Sequence, residues 1–318
     1  MSRTIVFLHK HPTRYVTKMK NQFSLATFLR KYKDDESCLA EIFKIKYPKG
    51  AKCQNKKCKY FEQVSNFYKI KGRMVYQCSC GYQIAPLAGT IFEKTTTPLQ
   101  YWFYAMFVMA NTRSGVSAKQ LQRELAVSYK TAWRMFKQIR MLMAEPKDGL
   151  LDGIVEIDET FVGGKTSNRK NKYGVGSTDK EIVMGMLKRG GKVYLKHIPN
   201  TGKWTLLQQI KENVDPRARV FTDEFAGYYH LPKFGYYHES VNHRLESVRG
   251  EVHTQGIENF WSHFKRGVTG VYRVVSKKYL QAYVDEYGFR FNHRNEPMFE
   301  LLMNQIAETK LIKTKNPS

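Results

Sequence analysis

Two short runs of alternating apolar and β-branched residues in this chain end in carboxylates. They are Ile154-Val155-Glu156-Ile157-Asp158-Glu159-Thr160 and Ala218-Arg219-Val220-Phe221-Thr222-Asp223-Glu224, with Asp158 and Asp223 65 residues apart. Alternation of this kind predicts strands. Between them, Ile182 to Leu187 and Val193 to Ile198 flank Lys188-Arg189-Gly190-Gly191-Lys192 as the arms of a hairpin, and Trp204 to Asn213 has the spacing of an amphipathic helix. Tyr236 to Val241 fits a further strand. Gln255 to Arg266 then reads as a helix with Glu258, Ser262 and Lys265 on one face, at i, i+4 and i+7.

The order strand, strand, strand, helix, strand, helix, strand, helix is that of a ribonuclease H-like (retroviral integrase-like) sheet. It puts acids at the ends of the first and fourth strands and a third acid on the last helix. Such a cluster suits phosphodiester chemistry, in which two Mg²⁺ ions roughly 3.5–4 Å apart need hard oxygen ligands. Asp158 and Asp223 are expected to supply most of the ligands and Glu258 the remainder, with Mn²⁺ able to replace Mg²⁺. Lys265 is placed to meet a phosphate. A lone surface acid carries no such meaning; three at matching topological positions, in a chain so short of acid, do. Glu156, Glu159 and Glu224 are neighbours expected to lie outside the cluster. For His253 two readings stand: it orients a phosphate or a carboxylate, or it packs against Trp261. Trp261 and Phe264 are expected in the helix core. Arg294 ends a helix whose inner face carries Leu280, Tyr283, Val284 and Tyr287, and it either meets a phosphate or closes that helix in solvent.

Charge points to the partner. Lys and Arg number 53 against 28 Asp and Glu in 318 residues, a formal net charge of +25. A polyanion balances such an excess, nucleic acid ahead of an acidic membrane surface. Hydrophobic residues at 42% supply buried cores and exclude a mostly disordered chain. No apolar run reaches the roughly 18 residues of a membrane span, and the N-terminal stretch lacks the apolar core of a secretory signal.

Five cysteines do not make a disulfide framework, and four of them form close pairs, Cys53 with Cys58 and Cys78 with Cys80, separated by 19 residues. That pattern indicates a reducing compartment and structural Zn²⁺ held by four thiolates in a zinc ribbon. Phe67 to Ile70 and Met74 to Gln77, around Lys71-Gly72-Arg73, would be its hairpin. The single residue between Cys78 and Cys80 departs from the usual C-x-x-C knuckle. Cys38 stands apart on a helical pattern running from Phe23 to Phe43, where Leu25, Phe28, Leu29, Leu39, Ile42 and Phe43 recur, and is expected in a core.

Leu121, Leu125 and Val127, then Ala132, Trp133, Phe136, Ile139 and Leu142, make two apolar faces with a short break at Ala126-Val127-Ser128. Ser117 and Ser128 are in place as helix caps. Two readings are open, a pair of packed helices or a helix-turn-helix whose second helix offers Tyr129, Lys130, Arg134 and Lys137 to a DNA groove; the net charge favours DNA. The chain therefore divides into a basic helical segment (1–47), a zinc ribbon (48–97), a helix-turn-helix region (98–146), a linker at Pro146-Lys147-Asp148-Gly149, and a catalytic domain (150–312). The expected fold class is multidomain α+β.

Three stretches carry a family resemblance: Ile157-Asp158-Glu159-Thr160-Phe161-Val162-Gly163-Gly164-Lys165, Thr222-Asp223-Glu224-Phe225-Ala226-Gly227-Tyr228, and His253-Thr254-Gln255-Gly256-Ile257-Glu258-Asn259-Phe260-Trp261-Ser262. They resemble the DDE transposases of a bacterial insertion-sequence family related to the Merlin elements. The likeness extends to the ribbon, to Gly89-Thr90-Ile91-Phe92 and to Tyr287-Gly288-Phe289-Arg290-Phe291-Asn292-His293-Arg294, and covers roughly residues 45 to 295. The 35-residue step from Asp223 to Glu258, with Lys265 seven further on, is similar to the DDE integrase pattern. Some relatives carry asparagine or histidine at the third position; here Asn259 follows Glu258, and the glutamate is taken as the ligand.

The resemblance implies metal-dependent cleavage at terminal inverted repeats, followed by attack of the freed 3′-hydroxyl on target DNA. The protein would act as a homodimer or higher oligomer on DNA, in the cytoplasm at the bacterial nucleoid. Two other functions compete: a domesticated, non-catalytic DNA-binding regulator, and a ribonuclease H-like structure-specific nuclease. Retention of all three acids weighs against the first, and the sequence-reading modules weigh against the second.

Overall fold

The computed structural model describes residues 23–144, 149–163, 180–241 and 250–308. The stretch before Phe23, Pro146-Lys147-Asp148 of the expected linker, Gly164 and Lys165 of the first motif, and the tail from Lys313 lie outside the described residues.

The first helical pattern forms two helices rather than one. α1 (Leu25–Lys31) ends at Tyr32, and α2 (Asp35–Lys46) starts afresh at Asp34. The Asp34 carboxylate accepts from the Ser37 N–H at 2.8 Å, and the Ser37 hydroxyl accepts from the Asp34 N–H at 3.2 Å. This reciprocal box satisfies amides that a continuous helix would have paired internally, so the chain turns here. Leu25 and Leu29 consequently sit half exposed, while Phe28, Tyr32, Cys38, Leu39 and Ile42 are buried.

β1 (Phe67–Lys69), β2 (Tyr76–Cys78) and β3 (Gln83–Ile84) make a small antiparallel sheet, with β1 and β2 as the expected hairpin. α3 (Leu99–Asn111) buries Trp102, Phe103, Met106 and Met109. α4 (Ala118–Leu125) and α5 (Tyr129–Met143) begin at Ser117 and Ser128, whose hydroxyls accept from the Gln120 and Thr131 N–H groups. Ala126, with φ near +51°, turns the chain between them.

β4 (Ile154–Val162), β5 (Glu181–Lys188) and β6 (Val193–Ile198) follow as an antiparallel meander, then α6 (Lys203–Asn213), β7 (Arg219–Asp223) and β8 (Tyr237–Val241). The sheet order is β6-β5-β4-β7-β8, with β4, β7 and β8 parallel. This is the ribonuclease H-like arrangement, with β4 at the centre. The helix expected between β7 and β8 is replaced by two 3₁₀ turns, Ala226–Tyr228 and Leu231–Phe234. Gly227, Pro232 and Gly235 break any longer helical run there.

On one face of the sheet, Val155, Ile157, Met184 and Met186 pack against Leu206, Leu207 and Ile210 of α6. On the other, Val183, Leu187 and Val193 pack against Ile257, Trp261 and Phe264 of α7 (Gln255–Gly267). α8 (Leu280–Asn292) contributes Leu280, Val284 and Tyr287 to that second core. Its Tyr283 and Phe289, with Leu302 of α9 (Met298–Glu308), join Phe28, Leu39, Phe103, Leu121, Phe136 and Ile139 in a single helical core. That core runs across the boundary expected between 98–146 and 150–312. Among the described residues, no helix is long and apolar enough to cross a membrane.

Candidate active site

Strand parity decides which way each acid of the Glu156–Glu159 run faces. Glu156, Asp158 and Thr160 share a face, and it is the face of α7: the Glu156 Oε2 accepts from the Ile257 N–H at 3.0 Å. Glu159 belongs with Val155 and Ile157 on the opposite face, where the Tyr228 hydroxyl donates to its carboxylate. Glu156 is buried and both its oxygens are committed, one to Ile257 and the other to the Arg189 Nε at 2.9 Å.

Asp158 is level with Asp223. The parallel ladder pairs Glu156 with Phe221, so two residues further along each strand the aspartates stand side by side. On the other flank, Asp158 lies across from Gly185 of β5. A Cβ at Gly185 would stand 2.6 Å from Trp261 Cζ2 and 2.8 Å from Ile257 Cδ1. Glycine here is what lets α7 lie close against the sheet beside Asp158. Glu258 sits in the first turn of α7, exposed, with the Thr254 hydroxyl donating to its Oε1 at 2.6 Å. Asp223 Oδ1 accepts from the Phe225 N–H at 3.0 Å, which turns the chain away at the strand's end.

The three carboxylates share one field. Burial, and then the charges of Asp223 and Glu258, push the Asp158 carboxyl from 3.8 up to about 6. The Glu159 amide and the Trp261 indole oppose the shift. The indole N–H is buried, lies close enough to favour the charged aspartate, and makes no full hydrogen bond. Burial lifts Glu159 further, to about 8, with the Asp158 and Asp223 charges adding to it. Hard oxygen donors that repel one another fit a divalent cation, which relieves that repulsion.

Lys265 stands exposed in the last turn of α7, on the helix face that carries Glu258. Arg294 closes its own helix, donating to the Phe291 carbonyl at 2.6 Å and lying over the Phe291 ring. His253 meets the Arg189 guanidinium at 3.2 Å and Glu156 at 3.5 Å, so its partner is a carboxylate outside the triad. Trp261 and Phe264 are buried in the helix core. On α5, Tyr129, Lys130 and Lys137 are exposed. Arg134 is exposed as well, and it also donates to Thr97 Oγ1 at 3.1 Å and lies over Trp102, tying α5 to α3. Gly185 and Arg189 went unrecognised in the sequence; strand parity opposite Asp158 and the hairpin position are the only signals either gives.

The four cysteines form a second site. Cys53 and Cys80 sulfurs lie 3.5 Å apart and those of Cys58 and Cys78 3.9 Å apart, and all four lie within 4.8 Å of one another. Thiolates about 2.3 Å from a tetrahedral zinc stand about 3.8 Å from each other, so the one-residue spacing of Cys78 and Cys80 is accommodated. Backbone N–H donation from Cys80 leads in drawing the Cys78 thiol down to about 6, whereas burial pushes the Cys53 thiol up to about 12; a coordinated metal would deprotonate both. Among the described residues this is the only group of such ligand atoms gathered so tightly; the carboxylates are more loosely spaced.

Residues 150–292 match the model of the ISXO2-like transposase domain. An "uncharacterized transposase-like protein" of Haemophilus influenzae is 31% identical over 121 residues, and the chain covers 98% of it and 38% of itself in that match. The chain belongs to the ISXO2-like transposase family. An "uncharacterized protein in transposable element ISH50" of Halobacterium salinarum is 27% identical over 286 residues, covering 85% of this chain and 95% of that one. Among solved structures, a pre-cleavage Mos1 transpososome is 12% identical with a TM-score of 0.24, covering 65% of this chain and 78% of that one. A simian T-cell lymphotropic virus intasome in complex with PP2A regulatory subunit B56 gamma is 12% identical with a TM-score of 0.28, covering 58% and 64%. Strand order and the family match, rather than these scores, carry the fold assignment.

Proposed function

We propose that this transposase binds the terminal inverted repeats of its element, cuts DNA there in a metal-dependent reaction, and joins the freed end to target DNA. The observation that carries the reading is geometric: Asp158 on β4 and Asp223 at the end of β7 lie on adjacent parallel strands, and α7, with Glu258 in its first turn, packs closely on the sheet at Gly185 opposite Asp158. Asp158, Asp223 and Glu258 would hold Mg²⁺ or Mn²⁺. When bound, such ions activate the attacking oxygen and stabilise the leaving one. Lys265 neutralises a phosphate of the strand held beside Glu258.

Residues 48–97, with Zn²⁺ on Cys53, Cys58, Cys78 and Cys80, and residues 98–146 serve end recognition. Tyr129, Lys130, Arg134 and Lys137 offer an exposed edge, on which Arg134 also bonds Thr97. The basic segment 1–47 adds phosphate contacts, residues 150–312 carry out the chemistry, and a homodimer or larger assembly holds paired ends at the nucleoid. Arg294, committed to its helix end, has a lesser claim on DNA.

A supercoiled plasmid carrying the gene with its flanking DNA tests this. Purified protein with Mg²⁺ or Mn²⁺ is expected to nick or cut at the element's ends and to produce joined products. Ca²⁺ is expected to support binding without chemistry. Binding with no cleavage under any divalent metal would instead favour a non-catalytic regulator.

A further inference from the structure

The geometry points to Glu156 and Arg189 as a clamp that positions the third carboxylate. This deepens the reading of Asp158, Asp223 and Glu258 as the metal site and rests on it. Ordinarily the side chain at a helix N-cap accepts from the amide two or three residues on. Thr254, the N-cap of α7, makes no such bond; its hydroxyl donates to Glu258 Oε1 at 2.6 Å. The amide it leaves over, that of Ile257, is taken by Glu156 Oε2 from the neighbouring strand at 3.0 Å. A carboxylate at this end also complements the helix dipole. The cap residue is thus released to orient Glu258, while the sheet supplies the cap.

Gly256 makes the exchange sterically feasible, since a Cβ there would lie 2.7 Å from Glu156 Oε2. Arg189, in the β5–β6 hairpin, completes the clamp. Its Nε donates to Glu156 Oε1 at 2.9 Å, its Nη1 to the Glu251 carbonyl at 3.1 Å and its Nη2 to the His253 carbonyl at 3.3 Å. One guanidinium therefore fixes both the capping carboxylate and the segment that leads into α7. Neither residue touches the reacting atoms. Their effect reaches the metal through Glu258, in the way that groups behind metal ligands tune affinity.

The test follows the Mn²⁺ midpoint for cleavage of the plasmid described above, and Mn²⁺ binding to full-length protein by proton relaxation. Variants are Glu156→Gln, Glu156→Ala, Arg189→Ala and Gly256→Ala, with Glu258→Gln as the reference for a lost ligand. Glu156→Ala and Arg189→Ala are expected to raise the midpoint by about 10- to 100-fold, with activity returning at high Mn²⁺. Glu156→Gln, which keeps an acceptor for Ile257, is expected to fall between wild type and Glu156→Ala. Gly256→Ala is expected to raise the midpoint as well. Because the partners act as a unit, Glu156→Ala/Arg189→Ala should be little worse than Glu156→Ala alone. Hydrogen exchange should quicken at the Ile257 and Glu258 amides while β4 and β7 keep their protection. A wild-type midpoint in folded Glu156→Ala and Arg189→Ala would overturn the clamp. If Glu156→Ala does not fold, the more exposed Arg189→Ala decides alone. Failure of wild type to respond to Mn²⁺ at all, or Glu258→Gln binding Mn²⁺ normally, would instead overturn the metal site itself.

Discussion

Glu286 of α8 holds the guanidinium of Arg140 of α5 at 2.7 Å, with both side chains buried and their positions 146 apart in the chain. Arg290 joins the same carboxylate at 2.7 Å, the Tyr272 hydroxyl donates to it at 3.0 Å, and the Phe136 and Tyr283 rings lie about Arg140 at 3.5 and 3.6 Å. α5 is thereby pinned to a helix that also covers the sheet carrying Asp158 and Asp223.

Glu286→Gln leaves two buried guanidinium groups without their counter-charge. Removing one partner of a buried ion pair costs about 3–5 kcal/mol, and a loss of that size is expected in urea unfolding. A change within error would mean that the pinning contributes nothing to stability.

Much of the sheet is legible in the sequence because strand alternation and helix spacing are local signals. β5, β6, α6 and α7 fall within a residue or so of their expected bounds. The exposed stripe of Glu258, Ser262 and Lys265 is legible for the same reason. What stayed hidden is long-range. Nothing near Arg140 announces Glu286, and nothing near Gly185 announces Trp261. Arg134 has the spacing of an exposed helix edge and is exposed, but its contacts with Thr97 and Trp102 carry no local signal. Glu156 reads as a bystander, and only its contact with Ile257 gives it a structural task; its substitution is therefore not expected to be silent. The break at Asp34 is a local feature, but its capping box lies inside an otherwise helical apolar pattern that masks it.

Asp285 lends stability a pH dependence of its own. Burial raises its carboxyl from 3.8 to about 6, so the folded chain holds this proton more tightly than the unfolded chain. Its contribution is fully present below about pH 4 and is lost as pH rises through about 6. Asp285→Asn keeps an acceptor for Gln281, whose amide donates to Asp285 at 2.7 Å. The variant is expected to lose this part of the slope and to be more stable than wild type at pH 7 by about 2–3 kcal/mol. Parallel stability–pH curves for the two proteins would contradict this.

Zinc analysis of freshly purified, reduced protein is expected to give one ion per chain. Cys78→Ser or a strong chelator should release it and open residues 48–97 to proteolysis, because the small sheet β1–β3 has little core beyond the cysteine cluster. Protein that contains no zinc, or a ribbon that resists protease without it, would remove the metal from this site.

Gly185→Ala should move α7 away from β5, since the added methyl meets Trp261 and Ile257 well inside contact distance. Overpacking of this kind costs about 1–3 kcal/mol. Cleavage should fall by more than the loss of folded protein explains, because Glu258 moves with the helix. Normal cleavage with α7 undisturbed would show that the site tolerates the shift.

The central claim is that Asp158, Asp223 and Glu258 act together on a divalent metal. It is tested most directly by Mg²⁺- and Mn²⁺-dependent strand cleavage in Asp158→Asn, Asp223→Asn and Glu258→Gln, with end binding measured in parallel. Each variant is expected to bind the element's ends as wild type does and to cut them at least a thousandfold more slowly, on the order of 4 kcal/mol in barrier. Glu224→Ala is expected to cut at close to the wild-type rate. Cleavage at normal rate by all three variants, or by Glu258→Gln while Asn259→Ala is dead, would contradict this assignment of the site.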